Sequence, residues 1–191
     1  VRHRESMLAT GGYLGHMWEL YGAWSTIGVF FIATMGPGVS ASLAAFSMIA
    51  VGGIGCVVAG NWADRWGRER VANGAMVLSA LCSLSIGWMT GLPAWVVIPV
   101  ALVWGVSIVS DSAQFSAVLT EVTPSDSVGT ALMLQTSLGF ALTAISIQLT
   151  TWLVAEFGWG VGYSVLALGP IAGIISMTRL RRRRDPRSSG P

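Results

Sequence analysis

Two ionisable side chains interrupt an apolar stretch near the start of the sequence, which reads GGYLGHMWELYGAW at residues 11–24. His16 and Glu19 are three residues apart, so a helix places them on one face, with Tyr13 about one turn before His16. An imidazole and a carboxylate in apolar surroundings can take up and release protons or bind a polar solute. The same groups can instead satisfy each other as a structural pair, or bridge to a neighbouring helix.

A second polar stripe surrounds Asp111. Ser107, Asp111 and Gln114 follow the spacing i, i+4 and i+7, which places them on one face of a helix. Gln135, in a later apolar segment, is a weaker candidate, because polar side chains in such helices often serve only as interhelical hydrogen-bonding groups. We predict a proton-coupling or substrate path that contains Tyr13, His16, Glu19, Asp111 and Gln135.

The elements that carry these side chains are predicted to be membrane-spanning helices. Mean hydropathy is +0.65 and 10% of the residues are charged, whereas soluble domains contain about a quarter charged residues. No charged residue occurs between Glu19 and Asp64. Breaks rich in glycine, proline or charge leave six segments of spanning length, near 8–35, 39–63, 70–90, 94–120, 127–154 and 159–178. The predicted fold class is therefore all-α, a six-helix transmembrane bundle at residues 1–178, followed by a basic tail at 179–191.

The fifth predicted span has a pattern typical of a helix start. Thr123 is suited to be the N-cap and Pro124 to occupy the first turn, while Asp126 lies three residues after the cap. The sequence thus predicts that this helix begins at the Thr–Pro pair.

The arginines predict the orientation of the bundle. All eleven basic residues are arginine. With six spans, both termini and the second and fourth loops lie on one side, and every arginine falls on that side. The positive-inside rule then predicts that both termini are cytoplasmic. The arginine-rich tail is expected to contact anionic lipids at that surface.

The first cytoplasmic loop carries a more specific pattern, Gly-x-x-x-Asp-Arg-x-Gly-Arg, between the second and third spans. Gly60 and Asp64 share a helix face, where the glycine would let another backbone approach and the aspartate would meet the positive end of a neighbouring helix. Gly67 permits a tight turn. Arg65, Arg68 and Arg70 are expected to hold the loop at the anionic cytoplasmic surface of the membrane.

This loop resembles the signature of the major facilitator superfamily of secondary transporters, at Gly60, Asp64, Arg65, Gly67 and Arg68. The basic tail and the short basic start resemble the C-terminal half of such a protein. The resemblance implies six helices arranged as two inverted three-helix repeats, with a missing N-terminal half of six further spans. It also implies that the loop latches one conformational state and that Glu19 and Asp111 lie on corresponding helices lining a central cavity.

The resemblance implies alternating-access transport of a small solute across a bacterial cytoplasmic membrane, and His16, Glu19 and Asp111 are expected to couple it to protons. Two alternatives stay open: a half-size transporter that acts as a homodimer, and a non-transporting sensor or assembly protein. The sequence lacks the nucleophile, phosphate-binding and two-histidine zinc motifs of hydrolases, pumps and metalloenzymes. We therefore expect no enzymatic activity, no cofactor, no metal and no nucleic-acid partner.

Overall fold

The computed structural model describes residues 2–184, with side chains from Arg4 onward. No strand occurs in this part of the chain. Its helices are α1 Arg2–Met35, α2 Val39–Trp66, α3 Arg68–Ile86, α4 Ala94–Ser110, α5 Ser112–Val122, α6 Val128–Phe157, α7 Trp159–Ser164 and α8 Leu168–Arg184. The last part of the predicted tail, residues 185–191, lies outside the described residues.

The eight helices form six helical units that coincide with the six predicted segments. A 3-10 turn at Gly87–Met89 prolongs α3, and another at Val165–Ala167 joins α7 to α8. Only Asp111 separates α4 from α5. The prediction of an all-α chain is confirmed for residues 2–184, while the inverted-repeat arrangement stays a prediction.

Five of the six units are long and apolar enough to cross a membrane, with mean hydropathies between 1.5 and 2.1. They are Val39–Trp66, Arg68–Met89, Ala94–Val122, Val128–Phe157 and Trp159–Arg184. The chain therefore has the helical make-up of a membrane protein. The unit outside this set is α1, which is long enough at 34 residues but carries His16, Glu19 and several aromatic side chains with polar atoms. Its assignment as a span stays a prediction.

The position of α1 explains how the fold accommodates its polar residues. This helix packs against α2, α4, α5, α6 and α8, so it occupies the centre of the bundle. By contrast, α2 and α6 have the lowest buried shares among the five apolar units, 28% and 22%. The polar helix is thus enclosed, and the most peripheral helices are strongly apolar.

Two apolar clusters fill the interior. One is built around Phe30, Trp104 and Tyr163, and the other around Phe115 and Met177. On α1 the boundary between them falls between Met17 and Leu20, and on the α4–α5 unit it falls between Ile108 and Phe115. Glu19 and Asp111 lie within these two intervals, and His16 directly precedes the first.

The segments that carry arginine converge at one end of the bundle. The hydroxyls of Ser6 and Thr123 hydrogen-bond at 3.0 Å, which joins the start of α1 to the end of α5. Arg184, at the end of α8, pairs with Glu69 and Glu121 at the ends of α3 and α5. The basic segments therefore share one end of the molecule, as the sequence predicts, while the side of the membrane to which this end belongs stays a prediction.

The predicted helix start at Thr123 is wrong. Thr123 ends α5, its backbone is extended, and its N–H donates to the Leu119 carbonyl. The chain then makes a turn that the Ser127 N–H closes on the Pro124 carbonyl, and Ser127 becomes the N-cap of α6. Because the turn uses these residues for its own hydrogen bond, the helix begins four residues later than the Thr–Pro pattern indicates.

Two helix crossings depend on glycine. A Cβ built on Gly15 of α1 would lie 2.3 Å from the carbonyl oxygen of Gly169 in α8, and a Cβ on Gly105 of α4 would lie 2.0 Å from that of Met48 in α2. These distances are too short for any side chain, so backbone packs directly on backbone. Small residues are used in this way where helices approach closely in membranes.

We expect Gly15→Ala to destabilise the protein by about 1–3 kcal/mol, because overpacking a close contact forces the backbones apart. The matched control is Gly28→Ala on the same helix, where an added Cβ meets nothing within 4 Å. The measurement is reversible unfolding in detergent, monitored by circular dichroism. Equal stabilities for the two variants would contradict the close crossing of α1 and α8.

Candidate functional site

A buried ion pair joins α1 to the junction of α4 and α5. His16 Nδ1 lies 2.9 Å from Asp111 Oδ1, and the two side chains are 1% and 3% exposed. Because ionisable groups are costly in an apolar interior, they are found there paired with one another. The two residues that the sequence predicts from separate segments are therefore direct partners.

Glu19 has different partners, although it shares the inner face of α1 with His16. The Ser79 hydroxyl of α3 and the Trp104 indole N–H of α4 both donate to Glu19 Oε1, at 2.8 and 2.9 Å. The sequence left open whether His16 and Glu19 pair with each other or bridge to a neighbouring helix. In the structure, each of them contacts a residue of another helix. We call His16, Glu19 and Asp111 the buried polar cluster.

The position of Asp111 results from a break in helical hydrogen bonding. The hydroxyls of Ser107 and Ser110 donate to the Trp104 and Val106 carbonyls of their own helix. Such side-chain bonds compete with the backbone ladder and bend helices. At Asp111 the hydrogen bond tightens to a three-residue turn, from the Gln114 N–H to the Asp111 carbonyl. The carboxylate thus lies at the junction, facing α1.

The predicted stripe of Ser107, Asp111 and Gln114 is buried along its whole length. Its three members nevertheless have different partners. Ser107 bonds within its helix, Asp111 pairs with α1, and the Gln114 amide oxygen accepts from Arg68 at 3.2 Å. The stripe therefore leads from the centre of the bundle to the loop that follows α2.

Aromatic rings enclose His16. Its ring centroid is 5.6 Å from that of Phe115 and 6.3 Å from that of Tyr13, and the latter two rings meet edge to face at 6.4 Å. His16 Nε2 is buried and has no hydrogen-bond partner in the part of the chain that is described. Tyr13 is thus a neighbour of the cluster, and His16 retains one unused nitrogen beside it.

Gln135 stands apart from this cluster. It is buried on the inner face of α6, and neither of its amide atoms has a hydrogen-bond partner among the described residues. The same face packs on α1, since a Cβ on Gly139 would lie 2.5 Å from the Tyr13 ring. The structure brings Tyr13, His16, Glu19 and Asp111 together but leaves Gln135 without a bond to them.

The cluster is closed within the six-helix unit. Three cavities of about 660, 520 and 410 Å³ lie elsewhere, and His16, Glu19 and Asp111 line none of them. The cavity-lining role implied for Glu19 and Asp111 is therefore not seen in these three cavities. Their role in a solute or proton path stays a prediction.

The loop motif forms a second polar centre, at the basic end of the bundle. Gly67 has a φ of 91° and makes the tight turn between α2 and α3, as predicted. Arg68 then donates from Nε to Glu121 at 2.8 Å, and Glu121 also binds Arg184 at 2.9 Å. Arg184 binds Glu69 in addition. The loop is thus tied to the ends of α5 and α8 by a network of charges.

Two expectations for the motif are not met. A Cβ on Gly60 would meet nothing within 4 Å, so no backbone packs against this glycine in the described part of the chain. The Asp64 side chain is 72% exposed, and its ion pair is with Arg68 at 3.9 Å rather than with a neighbouring helix end. Arg65 is exposed. The charged residues that connect the loop to neighbouring helices are Arg68, which pairs with α5, and Glu69, which pairs with α8.

The sequence analysis missed several members of these two centres. Ser79 could have been found from the inner face of α3, where Met76, Ser79 and Ser83 recur at helical spacing and are all buried. Glu69, Glu121 and Arg184 carry no such signal. Their partners lie far away in sequence, so only the packing of helix ends brings them together.

No family model matches this chain, and no curated protein matches it. The likeness to the major facilitator superfamily therefore depends on the residues of the loop motif alone.

We expect Asp111→Ala to lower the free energy of unfolding by about 3–5 kcal/mol, because removal of one partner leaves the buried His16 unpaired. Replacing both His16 and Asp111 by leucine should recover most of this loss. Gln135→Leu serves as the matched control and should not destabilise, since that side chain has no partner to lose among the described residues. Unfolding in detergent gives all four free energies, and an unaffected Asp111→Ala would contradict the pairing.

We expect Glu121→Gln to weaken the protein by about 1 kcal/mol, because partly exposed pairs contribute little each and this residue joins two of them. The difference should shrink in high salt, which screens such charges. Glu156→Gln is the control, because Glu156 is an exposed acid near the end of α6, a helix that contains no arginine. If both variants respond alike to salt, the network does not hold the helix ends together.

Proposed function

We propose that this chain takes part in the alternating-access movement of a small solute across a membrane, as a proton-coupled secondary transporter or as one half of such a protein. The observation that carries the proposal is the buried polar cluster at the centre of an otherwise apolar bundle. Ionisable groups at membrane depth are costly and typically mark ion or substrate pathways. Here three of them meet where α1, α3 and the α4–α5 junction converge.

The hydrogen bonds of the cluster make it responsive to protons. An ionised Glu19 only accepts, and it accepts from Ser79 and Trp104 at a single oxygen. A protonated carboxyl is itself a donor, so binding a proton adds a group that needs an acceptor. Such a change alters the bonds between α1 and its neighbours, which is the requirement for coupling protons to helix movement.

The charged network at the basic end supplies the second part of the mechanism. Its ion pairs join three helix ends through Arg68, Glu121 and Arg184. Partly exposed pairs are individually weak, so they can separate and re-form as helices move. In the proposed cycle this network latches one state, in keeping with the resemblance of the loop to that of major facilitator transporters. The proposal includes cytoplasmic termini, a bacterial cytoplasmic membrane and anionic lipids at the arginine-rich tail.

One observation favours a second candidate function. The cluster does not line any of the three cavities described above. This arrangement fits a polar cluster that only holds helices together, in a membrane sensor or assembly protein. A half-size homodimeric transporter would instead complete its path with a second copy. Transport measurements distinguish these readings.

We expect Glu19→Gln to abolish solute-driven proton movement while the protein stays folded in the membrane. The amide keeps the size of the carboxyl and can still accept from Ser79 and Trp104, but it cannot carry the proton. The protein, expressed from its complete reading frame, is reconstituted into vesicles that contain a pH-sensitive dye. Sugars, amino acids, carboxylates and organic cations are then added in turn.

Ser79→Ala is the matched control, because it removes one hydrogen bond to Glu19 and leaves the carboxyl in place. This variant should retain coupled movement with an altered pH profile. If Glu19→Gln moves protons as the unmodified protein does, the carrier role of Glu19 is wrong. If the folded, unmodified protein moves neither protons nor solutes at any pH, the non-transporting candidate is favoured.

A further inference from the structure

A groove of about 660 Å³ opens between α2, α3 and α4, away from the buried polar cluster. Ile54, Val58 and Leu78 line its sides and are themselves exposed. Its size lies within the range of about 300–1,000 Å³ that is typical of small-molecule sites. All three helices belong to units apolar enough to cross a membrane, so the groove lies within the part of the bundle that a bilayer would surround.

The lining of the groove leaves little for a polar ligand to bind in its interior. Ser107 and Ser110 reach it, but their hydroxyls already donate to carbonyls of α4. Gly74 contributes no side chain, and a Cβ there would meet nothing within 4 Å. The interior therefore fits an apolar chain rather than a polar solute.

One end of the groove differs from the rest. Trp62 and Trp66 lie there with ring centroids 5.4 Å apart, and Arg70 lines the same end, in the first turn of α3. Arg70 is exposed and makes no ion pair or hydrogen bond within residues 4–184, unlike Arg68 and Arg184. Indole rings and arginine side chains of this kind are typical of the level of lipid headgroups.

The length of the groove fits one leaflet of a bilayer. At 1.5 Å per residue, Arg70 to Leu78 on α3 covers about 12 Å and Ile54 to Trp66 on α2 about 18 Å. Half of a hydrocarbon layer about 30 Å thick is roughly 15 Å. A groove of this length, whose terminal Arg70 has no partner within residues 4–184, has the dimensions to hold one lipid tail and the charge to attract an anionic head.

We propose that this groove binds one acyl chain of an anionic phospholipid, with its phosphate held by Arg70 and its tail lying along Gly74 toward Ile54. The site is separate from the arginine-rich tail and does not depend on the transport function. Charge complementarity selects the lipid, because the charged side chain that lines the groove in the described part of the chain, Arg70, is positive. A bound lipid would cover the gap that α2 and α3 leave between them.

The test is quenching of tryptophan fluorescence by phosphatidylglycerol with brominated acyl chains, added to the purified full chain in detergent. We expect saturable quenching that brominated phosphatidylcholine does not reproduce, since Trp62 and Trp66 lie at the site. Arg70→Gln should weaken the apparent affinity by about five-fold, which corresponds to about 1 kcal/mol for one arginine near lipid phosphate. Gly74→Leu should abolish the saturable component by filling the groove.

Matched controls separate a specific site from general attraction. Arg65→Gln removes an exposed arginine of the same loop outside the groove, and Gly53→Leu adds a side chain at an exposed position of α2 with open space around it. Both should bind lipid as the unmodified protein does. Circular dichroism checks the helix content of each variant, and Ala75→Leu provides a second means of filling the groove.

Three results would overturn the proposal. Equal weakening by Arg70→Gln and Arg65→Gln would mean nonspecific attraction to the basic end. Equal quenching in the filled-groove and control variants would mean that no acyl chain enters. A dimer that excludes the brominated lipid, and that Gly74→Leu dissociates, would assign the groove to a second copy of the chain.

Discussion

The contact between His16 and Asp111 places two ionisable groups inside a bundle whose largest buried side chains are apolar or aromatic, and this contact constrains how the helices are arranged. A lone buried charge is prohibitively costly, whereas a pair in close contact is tolerated. The helix that carries His16 and Glu19 therefore cannot face lipid, and α1 is surrounded by five other helices. The ionisable side chains in the middle of α1 are tolerated because the rest of the bundle encloses them.

The same constraint shapes the α4–α5 unit. A straight helix would continue its hydrogen-bond ladder through Asp111, but serine hydroxyls compete for the carbonyls just before it and the helix divides there. The short helix α5 that follows has Asp111 at one end and Glu121 near the other, about 15 Å away. It is therefore the element that connects the buried pair to the charged network, and Gln114 with Arg68 adds a link between them.

The bundle distributes its residues in the way a bilayer requires. Many polar side chains lie inside, where other helices supply partners, while α2 and α6 expose large apolar side chains such as Phe46, Val57 and Met133. Where helices must touch, glycine replaces larger residues and lets the backbones meet, as at Gly15 and Gly105. Where α2 and α3 leave a gap instead, the walls are mostly apolar and the charged residue that lines the gap in the described part of the chain, Arg70, is at its end. The close helix contacts inside the bundle and the open groove on its outside thus depend on different residues.

The sequence by itself determined the local features. Hydropathy and breaks predict the six helical units because segment length and apolar content are properties of neighbouring residues. The turn at Gly67 and the burial of Ser107, Asp111 and Gln114 were predictable for the same reason, since φ preference and helical spacing are local. The prediction that a helix starts at Thr123 is wrong because helix starts and turns have similar sequence patterns, and each is stabilised by its own local hydrogen bond.

Only the tertiary structure decided which polar group meets which. His16 and Glu19 share a helix face, so spacing favours their pairing, yet each binds a residue of another helix. Trp104, which lies 85 residues from Glu19 along the chain, is bonded to it. Such contacts depend on how the helices cross and rotate, and those are set by side-chain fit over the whole bundle. The network of Arg68, Glu121 and Arg184 is decided in the same way, because packing alone brings three distant helix ends together.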